Sequence, residues 1–232
     1  ENGYIKAVAD GGLQGDSIFM DVVSVGATIN IILAAVLANG VTVIDSAAKE
    51  PHVVDLVNFL NACGADITGA GTDVIKVKGV SRLHGATYAV LPDMIEAGTY
   101  MIAAAATRGK VTISNVIPKH LDSVSAKLRE MGAVVEEYDS SVVVSASNAP
   151  FKGVRVKTQP YPGFPTDMNP QMCVMMCLAE GDSQLKEGVW DNRFRYIKEL
   201  VRMGADITVE PKVAYVKGKG ALSGAAVKAV DL

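Results

Sequence analysis

The chain repeats a pattern of helices and strands about every 70 residues. Three predicted helices end in the sequence Cys-Gly-Ala or Met-Gly-Ala, and their glycines are Gly64, Gly132 and Gly204. A predicted hairpin follows each of them. A period of this length that contains both helices and strands predicts a fold made by copying one βαβαββ unit of about 70 residues.

Four aspartates mark a second repeated position, after a strand-like run and where the next helix is predicted to start. They are Asp21, Asp93, Asp167 and Asp231, which lie 72, 74 and 64 residues apart. The third repeat breaks the regularity, because residues 159–166 insert a loop with three prolines before Asp167. Prolines stiffen a loop, and an insertion into a regular repeat is a candidate functional feature.

Composition excludes several classes of protein. Hydrophobic residues make up 49% of the 232 residues and charged residues 20%, which predicts a folded chain. The net charge of −3 predicts no nucleic-acid partner, and the longest apolar stretch is too short to cross a bilayer, so no membrane partner is expected. Cys63, Cys173 and Cys177 lie in apolar helical surroundings, which favours core thiols in a reduced, cytoplasmic protein and no metal site.

The apolar pattern also predicts individual helices. Residues 27–37 form an Ala, Ile and Leu-rich stretch that predicts a buried helix. A second helix is predicted from Pro51 to Gly64, since proline favours a helix start and glycine a helix end. In the third repeat one continuous helix is predicted over residues 192–203.

The residues just before the first apolar helix admit two interpretations. Ser24 and Gly26 precede a predicted helix start, where free N–H groups and the helix dipole can hold a phosphate or diphosphate. Gly26 would let such a ligand approach closely. Ordinary capping of the helix by Ser24 is the alternative.

Asp167 also has two possible roles. The stiff loop before it could present its carboxylate to a hydroxyl group as a general base. Alternatively it caps a helix, as its three sister aspartates could.

Two further segments carry candidate binding residues. Residues 188–194 contain the single tryptophan, and there Arg193 could clamp an anion and Val189 could line a sugar or base pocket. The alternative is a capped helix start with a packed tryptophan. Glu50, before Pro51, is either a polar site residue or a negative charge that complements the helix dipole.

Seven short motifs, in order over the whole chain, resemble those of the UDP-N-acetylglucosamine enolpyruvyl transferase family, which opens bacterial peptidoglycan synthesis. The motifs are DVVSVGAT (21–28), KEP (49–51), GTD (71–73), LPD (91–93), FPTDM (164–168), DNRF (191–194) and LSGA (222–225).

The resemblance implies an α/β (α+β) fold of the inside-out α/β barrel type, built from repeated βαβαββ units and incomplete in this chain. It implies that residues 1–91 are the C-terminal portion of the first transferase domain. Residues 92–232 would be most of the second domain, truncated before its last unit. In this family the substrates bind between the two domains.

The resemblance also implies the chemistry. The family transfers the enolpyruvyl group of phosphoenolpyruvate to the 3'-hydroxyl of UDP-N-acetylglucosamine through a tetrahedral intermediate, releases phosphate and needs no cofactor. Asp167 matches the carboxylate that binds and deprotonates the 3'-hydroxyl, and Val189 matches a nucleotide-sugar contact. The matching diphosphate-binding turn consists of Val22, Val23, Ser24, Val25 and Gly26. Glu50, Arg193 and Asp231 match polar residues in or beside the cleft.

The chain departs from the family pattern in two ways. Val22 stands where some members have a lysine, which leaves the diphosphate to backbone donors. The loop with the reactive cysteine and the arginines near it have no counterpart, so the phosphoenolpyruvate clamp is expected to lie mostly outside this chain. We therefore expect the chain alone to be inactive, and the truncated domains to be able to self-associate.

Two other functions remain open on the sequence. One is a shikimate-type enolpyruvyl transferase of the same fold. The other is a non-catalytic repeat protein that binds a nucleotide sugar.

Overall fold

The computed structural model describes residue 3, residues 6–146 and residues 150–230. Within it the chain divides into two compact units, Glu1–Leu91 and Pro92–Leu232, called unit 1 and unit 2 below. Unit 1 contains β1 (Ser17–Phe19), α1 (Val25–Ala35), β2 (Val41–Asp45), α2 (Pro51–Ala62), β3 (Asp66–Thr68) and β4 (Val74–Lys78).

Unit 2 holds the other elements, among them three short 3-10 helices. In chain order they are α3 (Met94–Ala106), β5 (Lys110–Ser114), a 3-10 helix (Pro118–Leu121), α4 (Asp122–Met131), β6 (Val134–Glu137), β7 (Ser141–Ser145), β8 (Arg155–Lys157), a 3-10 helix (Thr166–Met168), α5 (Asn169–Cys177), β9 (Glu180–Lys186), a 3-10 helix (Arg193–Tyr196), α6 (Ile197–Arg202), β10 (Asp206–Glu210) and β11 (Val213–Lys219).

Unit 1 consists of a single βαβαββ repeat. Its sheet has the order β1-β2-β4-β3, in which β1 and β2 are parallel and the other pairs antiparallel. Side chains alternate across the sheet, so Ile75 and Val77 of β4 are buried while the residues between them are exposed. They pack with Ile32 of α1 and Val57 of α2 in one apolar core.

Unit 2 contains the βαβαββ repeat twice, once whole and once in part. The sheet β8-β9-β11-β10 has the strand order and the directions of the unit 1 sheet, with β8 and β9 parallel. The sheet β5-β7-β6 repeats only the last three positions, because residues 79–92 form neither helix nor strand. The two central helices α3 and α5 contribute to a shared core in which Met101 and Met172 are fully buried.

The repeated Gly-Ala helix ends have one geometry. Gly64, Gly132 and Gly204 all adopt a left-handed conformation, with φ of 95°, 106° and 91°. In each repeat the alanine N–H bonds the carbonyl five residues earlier, at Leu60, Leu128 and Leu200, with N···O distances of 3.0, 2.9 and 3.1 Å. This is the bond pattern of a Schellman cap, which requires a residue that tolerates positive φ. The predicted repeat is therefore confirmed at the level of single hydrogen bonds.

Two helix predictions differ from the structure. Helix α1 is not buried all round, since Leu33 in its last turn is 47% exposed, and Leu37 just after the helix is 58% exposed. A helix that is apolar on every side does not reveal from its sequence which face packs against the rest of the described chain. The predicted helix over residues 192–203 is also broken: the backbone leaves helical geometry at Phe194, and a 3-10 helix precedes the short α6.

Candidate functional site

The turn before α1 is a capped helix start that remains open to solvent. Ser24 is the N-cap residue, and its Oγ accepts a hydrogen bond from the Ala27 N–H at 3.3 Å. The capping interpretation is confirmed, but it uses only one of the free donors of the first turn. Gly26 is exposed, and a Cβ placed on it would meet no atom within 4 Å, so there is open space beside this residue in the first turn. Capping and anion binding are compatible here.

The valines of this turn divide between surface and core. Val22 is 75% exposed, whereas Val23 and Val25 pack against the core of unit 1. The partly buried pair, Val23 and Val25, fixes the backbone of the turn, and Val22 offers no charge. An anion at this place would be held by backbone N–H groups and the helix dipole.

A buried threonine ties α1 to the segment that carries Glu50. The Thr28 hydroxyl donates to the Ser24 carbonyl at 2.8 Å and accepts from the Ala48 N–H at 3.0 Å. Glu50 itself is the N-cap residue of α2, but its side chain makes no capping hydrogen bond. The Thr28 bonds therefore fix the Ser24 turn against the chain that leads into α2, within unit 1.

Asp167 and Arg193, predicted separately, form an ion pair in unit 2. The Arg193 Nη1 lies 3.3 Å from Asp167 Oδ1. The arginine side chain is 3% exposed and the aspartate side chain 51%. A buried cation thus orients a carboxylate that still reaches solvent, and such a carboxylate can accept a hydrogen bond or a proton from a hydroxyl group.

The structure corrects the predicted positions of the aspartates. Asp167 lies inside a 3-10 helix whose N-cap is Pro165, and it makes no capping bond, so the helix-cap alternative is wrong. Asp21 does not start α1, because Ser24 caps that helix. Asp93 does cap α3, and its side chain accepts a hydrogen bond from the Ile95 N–H at 2.7 Å. No strand ends immediately before it, because residues 79–92 form none. Asp231 lies outside the described residues.

The proline loop before Asp167 is closed by two hydrogen bonds within the loop. Gln159 N–H bonds the Phe164 carbonyl at 2.9 Å, and Gly163 N–H bonds the Pro160 carbonyl at 2.9 Å. Phe164 is buried in the core of unit 2, and Tyr161 meets the His120 ring edge-on. The loop therefore holds its shape through its own hydrogen bonds and through packing.

Val189 lies in the turn between β9 and the 3-10 helix of Arg193. Val189 and Trp190 are 41% and 53% exposed. Gly188 is required before them, since a Cβ there would lie 2.4 Å from the Thr158 carbonyl oxygen. Trp190 and Arg193 also line an open groove of about 860 Å³ that runs to the turn between β10 and β11. The tryptophan is thus a surface residue, and the packed-tryptophan alternative is wrong.

Glu187 is the site residue that sequence reasoning missed. It is 1% exposed and accepts five hydrogen bonds. Burial raises the pKa of its carboxyl, but hydrogen bonds from Thr158, Trp190, Val189 and Thr166 outweigh burial and leave the pKa below its ordinary value. A signal was available, because Ser183 and Leu185 point inward on β9 and Glu187 continues their period of two.

The lowered pKa of Glu187 predicts an acid-sensitive fold. A carboxyl whose pKa is lower in the folded state stabilises that state above its unfolded pKa, and this contribution is lost as pH falls through the folded pKa. We expect the free energy of unfolding in urea to fall as pH drops below the ordinary glutamate pKa of 4.5. The decrease should be smaller in Glu187→Gln. An equal decrease in both proteins would show that other carboxyl groups cause it.

The remaining expectations concern membranes and metals. Among residue 3 and residues 6–146 and 150–230, no helix is long and apolar enough to cross a membrane. In the same part of the chain, no group of three or more His, Cys, Asp or Glu side chains is placed to hold a metal ion. Cys173 and Cys177 are buried in the core of unit 2, as predicted for core thiols.

Solved structures define the class of fold. The enolpyruvyl transferase NikO from Streptomyces tendae matches 92% of this chain with a TM-score of 0.80 and 24% identity, over 55% of its own length. An EPSP synthase from Acinetobacter baumannii matches 92% of the chain with a TM-score of 0.61 and 23% identity, over 51% of its own length. The predicted enolpyruvyl transferase fold is confirmed, and no sheet closes into a barrel among the residues that the structure describes.

The sequence itself defines the family. The family model described as EPSP synthase (3-phosphoshikimate 1-carboxyvinyltransferase) matches residues 1–232, and the chain belongs to this family. Relatives named UDP-N-acetylglucosamine 1-carboxyvinyltransferase match all of the chain, at 57% identity in Clostridium botulinum and 50% in Shewanella amazonensis. The chain spans about half the length of these relatives, 55% and 56%.

Proposed function

We propose that this chain is part of a transferase that moves the enolpyruvyl group of phosphoenolpyruvate to the 3'-hydroxyl of UDP-N-acetylglucosamine and releases phosphate. The observation that carries the proposal is the half-exposed Asp167 carboxylate held by the buried Arg193. Identities of 50–57% to relatives named for this transfer support the choice of substrate. The reaction would place the protein in peptidoglycan synthesis, in the cytoplasm.

The residues of unit 2 have separate roles in this proposal. Asp167 accepts a hydrogen bond from the 3'-hydroxyl and takes its proton as the oxygen attacks the enolpyruvyl carbon. Arg193 orients that carboxylate, and Val189 contacts the nucleotide sugar. The attack also needs a proton at the methylene carbon of phosphoenolpyruvate, and the reactive cysteine that the family resemblance implies would supply it. Collapse of the resulting tetrahedral intermediate removes a proton from that carbon, restores its double bond and expels phosphate, which leaves the enolpyruvyl ether.

The residues of unit 1 would bind phosphate groups. The turn from Val22 to Gly26 would bind the diphosphate through the N–H groups at the start of α1. Val22 supplies no cation there, so the affinity would depend on backbone donors. Glu50 and Asp231 are assigned to polar positions beside the substrates.

The domain assignment and the partners complete the proposal. Residues 1–91 would be the C-terminal portion of the first transferase domain and residues 92–232 most of the second. The cationic residues that clamp phosphoenolpyruvate would lie mostly outside this chain, because the family's reactive-cysteine loop and the arginines near it have no counterpart among the matched motifs. The chain by itself would then be inactive, and it could self-associate.

A shikimate-type transferase is the second candidate. The observation in its favour is the family model, whose description names 3-phosphoshikimate. The EPSP synthase structure shares only 23% identity with this chain, and identity at that level supports the fold alone. The 57% identity to a relative named for UDP-N-acetylglucosamine favours the nucleotide sugar.

One experiment separates these functions. A chimera would carry this chain in place of the matching 55% of the Clostridium botulinum relative. We expect phosphate release from phosphoenolpyruvate with UDP-N-acetylglucosamine, and none with shikimate 3-phosphate. The 232-residue chain alone should release none.

Other outcomes would change the assignment. Turnover with shikimate 3-phosphate alone would establish the second candidate. A chimera that binds UDP-N-acetylglucosamine without turnover would indicate a nucleotide-sugar-binding protein. Turnover by the isolated chain would contradict the proposed location of the clamp.

A further inference from the structure

Glu187 is a buried carboxylate whose five hydrogen-bond donors are all neutral groups. Oε1 accepts from the Thr158 hydroxyl at 2.7 Å, the Val189 N–H at 2.8 Å and the Trp190 N–H at 3.0 Å. Oε2 accepts from the Thr166 hydroxyl at 3.0 Å and the Asn169 side-chain N–H at 2.8 Å. A buried charge is costly unless it is hydrogen-bonded, and here both oxygens are used fully.

These donors come from segments that are distant in sequence. Thr158 follows β8, Thr166 begins the 3-10 helix of Asp167, and Asn169 begins α5. Val189 and Trp190 follow β9 in the turn that leads to Arg193. One carboxylate therefore joins the loop that carries Asp167 to the turn that carries Val189.

A second layer of bonds supports the same junction. The Thr158 hydroxyl also accepts from the Gly188 N–H at 2.9 Å, and the Asn169 side-chain oxygen accepts from the Tyr196 hydroxyl. The network therefore extends from β8 to the 3-10 helix of Arg193. Such networks hold one geometry when every member is satisfied.

We propose that Glu187 is a positioning residue for sugar recognition: it sets the separation between Asp167 and Val189 by clamping their two segments together. The inference depends on the proposed function, in which both residues contact the nucleotide sugar. Glu187 is 1% exposed and both of its oxygens are used by the two segments, so it would act through them and not by contact with the substrate. Its negative charge strengthens five bonds that a neutral acceptor of the same size could not all receive.

The first measurement uses the chain without ligand. In Glu187→Gln the Val189 and Trp190 N–H groups face either an NH₂ group, which cannot accept, or a neutral carbonyl oxygen, which binds them more weakly than the carboxylate does. We expect their amide hydrogen exchange to become about tenfold faster or more, while exchange in β9 and β11 stays unchanged. Equal acceleration throughout unit 2 would mean a loss of global stability only, which would overturn the proposal.

The second measurement compares two ligands, UDP-N-acetylglucosamine and UDP, which lacks the sugar. Both are measured in the chimera with the Clostridium botulinum relative, and for the unaltered chimera we expect tighter binding of the sugar nucleotide. Glu187→Gln should reduce this preference by about tenfold, which corresponds to one strong hydrogen bond, and leave the Kd for UDP unchanged. Glu180→Gln is the matched control, because Glu180 is an exposed acid at the other end of β9. It should leave both constants unchanged.

The outcomes distinguish a failure of the proposed function from a failure of the proposed role of Glu187. If the unaltered chimera does not prefer UDP-N-acetylglucosamine over UDP, the proposed function fails, and the role of Glu187 falls with it. If the chimera has that preference and Glu187→Gln keeps it, the proposed function stands and Glu187 is only structural. Thr166→Val serves if Glu187→Gln does not fold, since it removes one bond to Oε2. It should reduce the sugar preference while the Val189 N–H remains protected.

Discussion

Replacement of Asp167 by asparagine is expected to lower kcat for enolpyruvyl transfer about 10²- to 10⁴-fold, the usual contribution of a general base. Asparagine keeps the size of the side chain and can still accept a hydrogen bond, but it cannot take the proton of the 3'-hydroxyl. The measurement is phosphate release by the chimera with the Clostridium botulinum relative, at saturating UDP-N-acetylglucosamine.

The control for this prediction is Asp182→Asn, an exposed aspartate on β9. It should leave kcat unchanged, since the substitution removes the same charge away from the site. The Kd of Asp167→Asn for UDP-N-acetylglucosamine should rise much less than kcat falls, because the asparagine oxygen still binds the hydroxyl. An Asp167→Asn protein with normal kcat would exclude Asp167 as the base.

Replacement of Arg193 by methionine is expected to have the second large effect. Methionine fills similar space but frees the Asp167 carboxylate to rotate, and a displacement near 1 Å can reduce kcat/KM about 10²-fold. Loss of a buried, charge-assisted contact should also lower the free energy of unfolding by about 1–3 kcal/mol. This loss of unfolding free energy is expected to be smaller than for a fully buried ion pair, because the Asp167 side chain is 51% exposed. Phosphate release and urea unfolding measure the two effects.

Arg202→Met provides the comparison for Arg193→Met. Arg202 is 57% exposed and pairs with Glu199 at 3.1 Å on the surface of α6. Surface pairs contribute about 0–1 kcal/mol, so this variant should differ little from the unaltered protein in stability and activity. Similar losses in both variants would mean that arginine replacement in this region acts through general stability and not through Asp167.

The repeat was predictable because its signals are local. A helix that ends in Gly-Ala needs a residue with positive φ followed by a bond to the fifth preceding carbonyl, and Gly64, Gly132 and Gly204 satisfy both requirements. The missing strand before Asp93 was not predictable in this way, because strand formation depends on a partner strand that the local sequence does not contain. The same limit applies to the exposed face of α1.

The candidate site was predictable in part. Asp167, Val189 and Arg193 were identified from the proline loop, the tryptophan segment and the family resemblance. The ion pair between Asp167 and Arg193 was not, since the two residues lie 26 positions apart and pair only after α5 and β9 have packed. Glu187 was overlooked because an isolated glutamate gives no chemical motif, although its position in the alternation of β9 indicated burial.

The sequence by itself determined the βαβαββ repeat, its helix ends and the family, because these depend on backbone preferences and on residue order. Only the tertiary structure decided what contacts each of the repeated aspartates makes. Asp93 caps a helix and Asp21 does not, while Asp167 is held by a buried arginine beside a clamped turn. The physical reason is that a carboxylate acquires its role from the donors and charges that packing brings to it, and for Asp167 these come from a distant part of the chain.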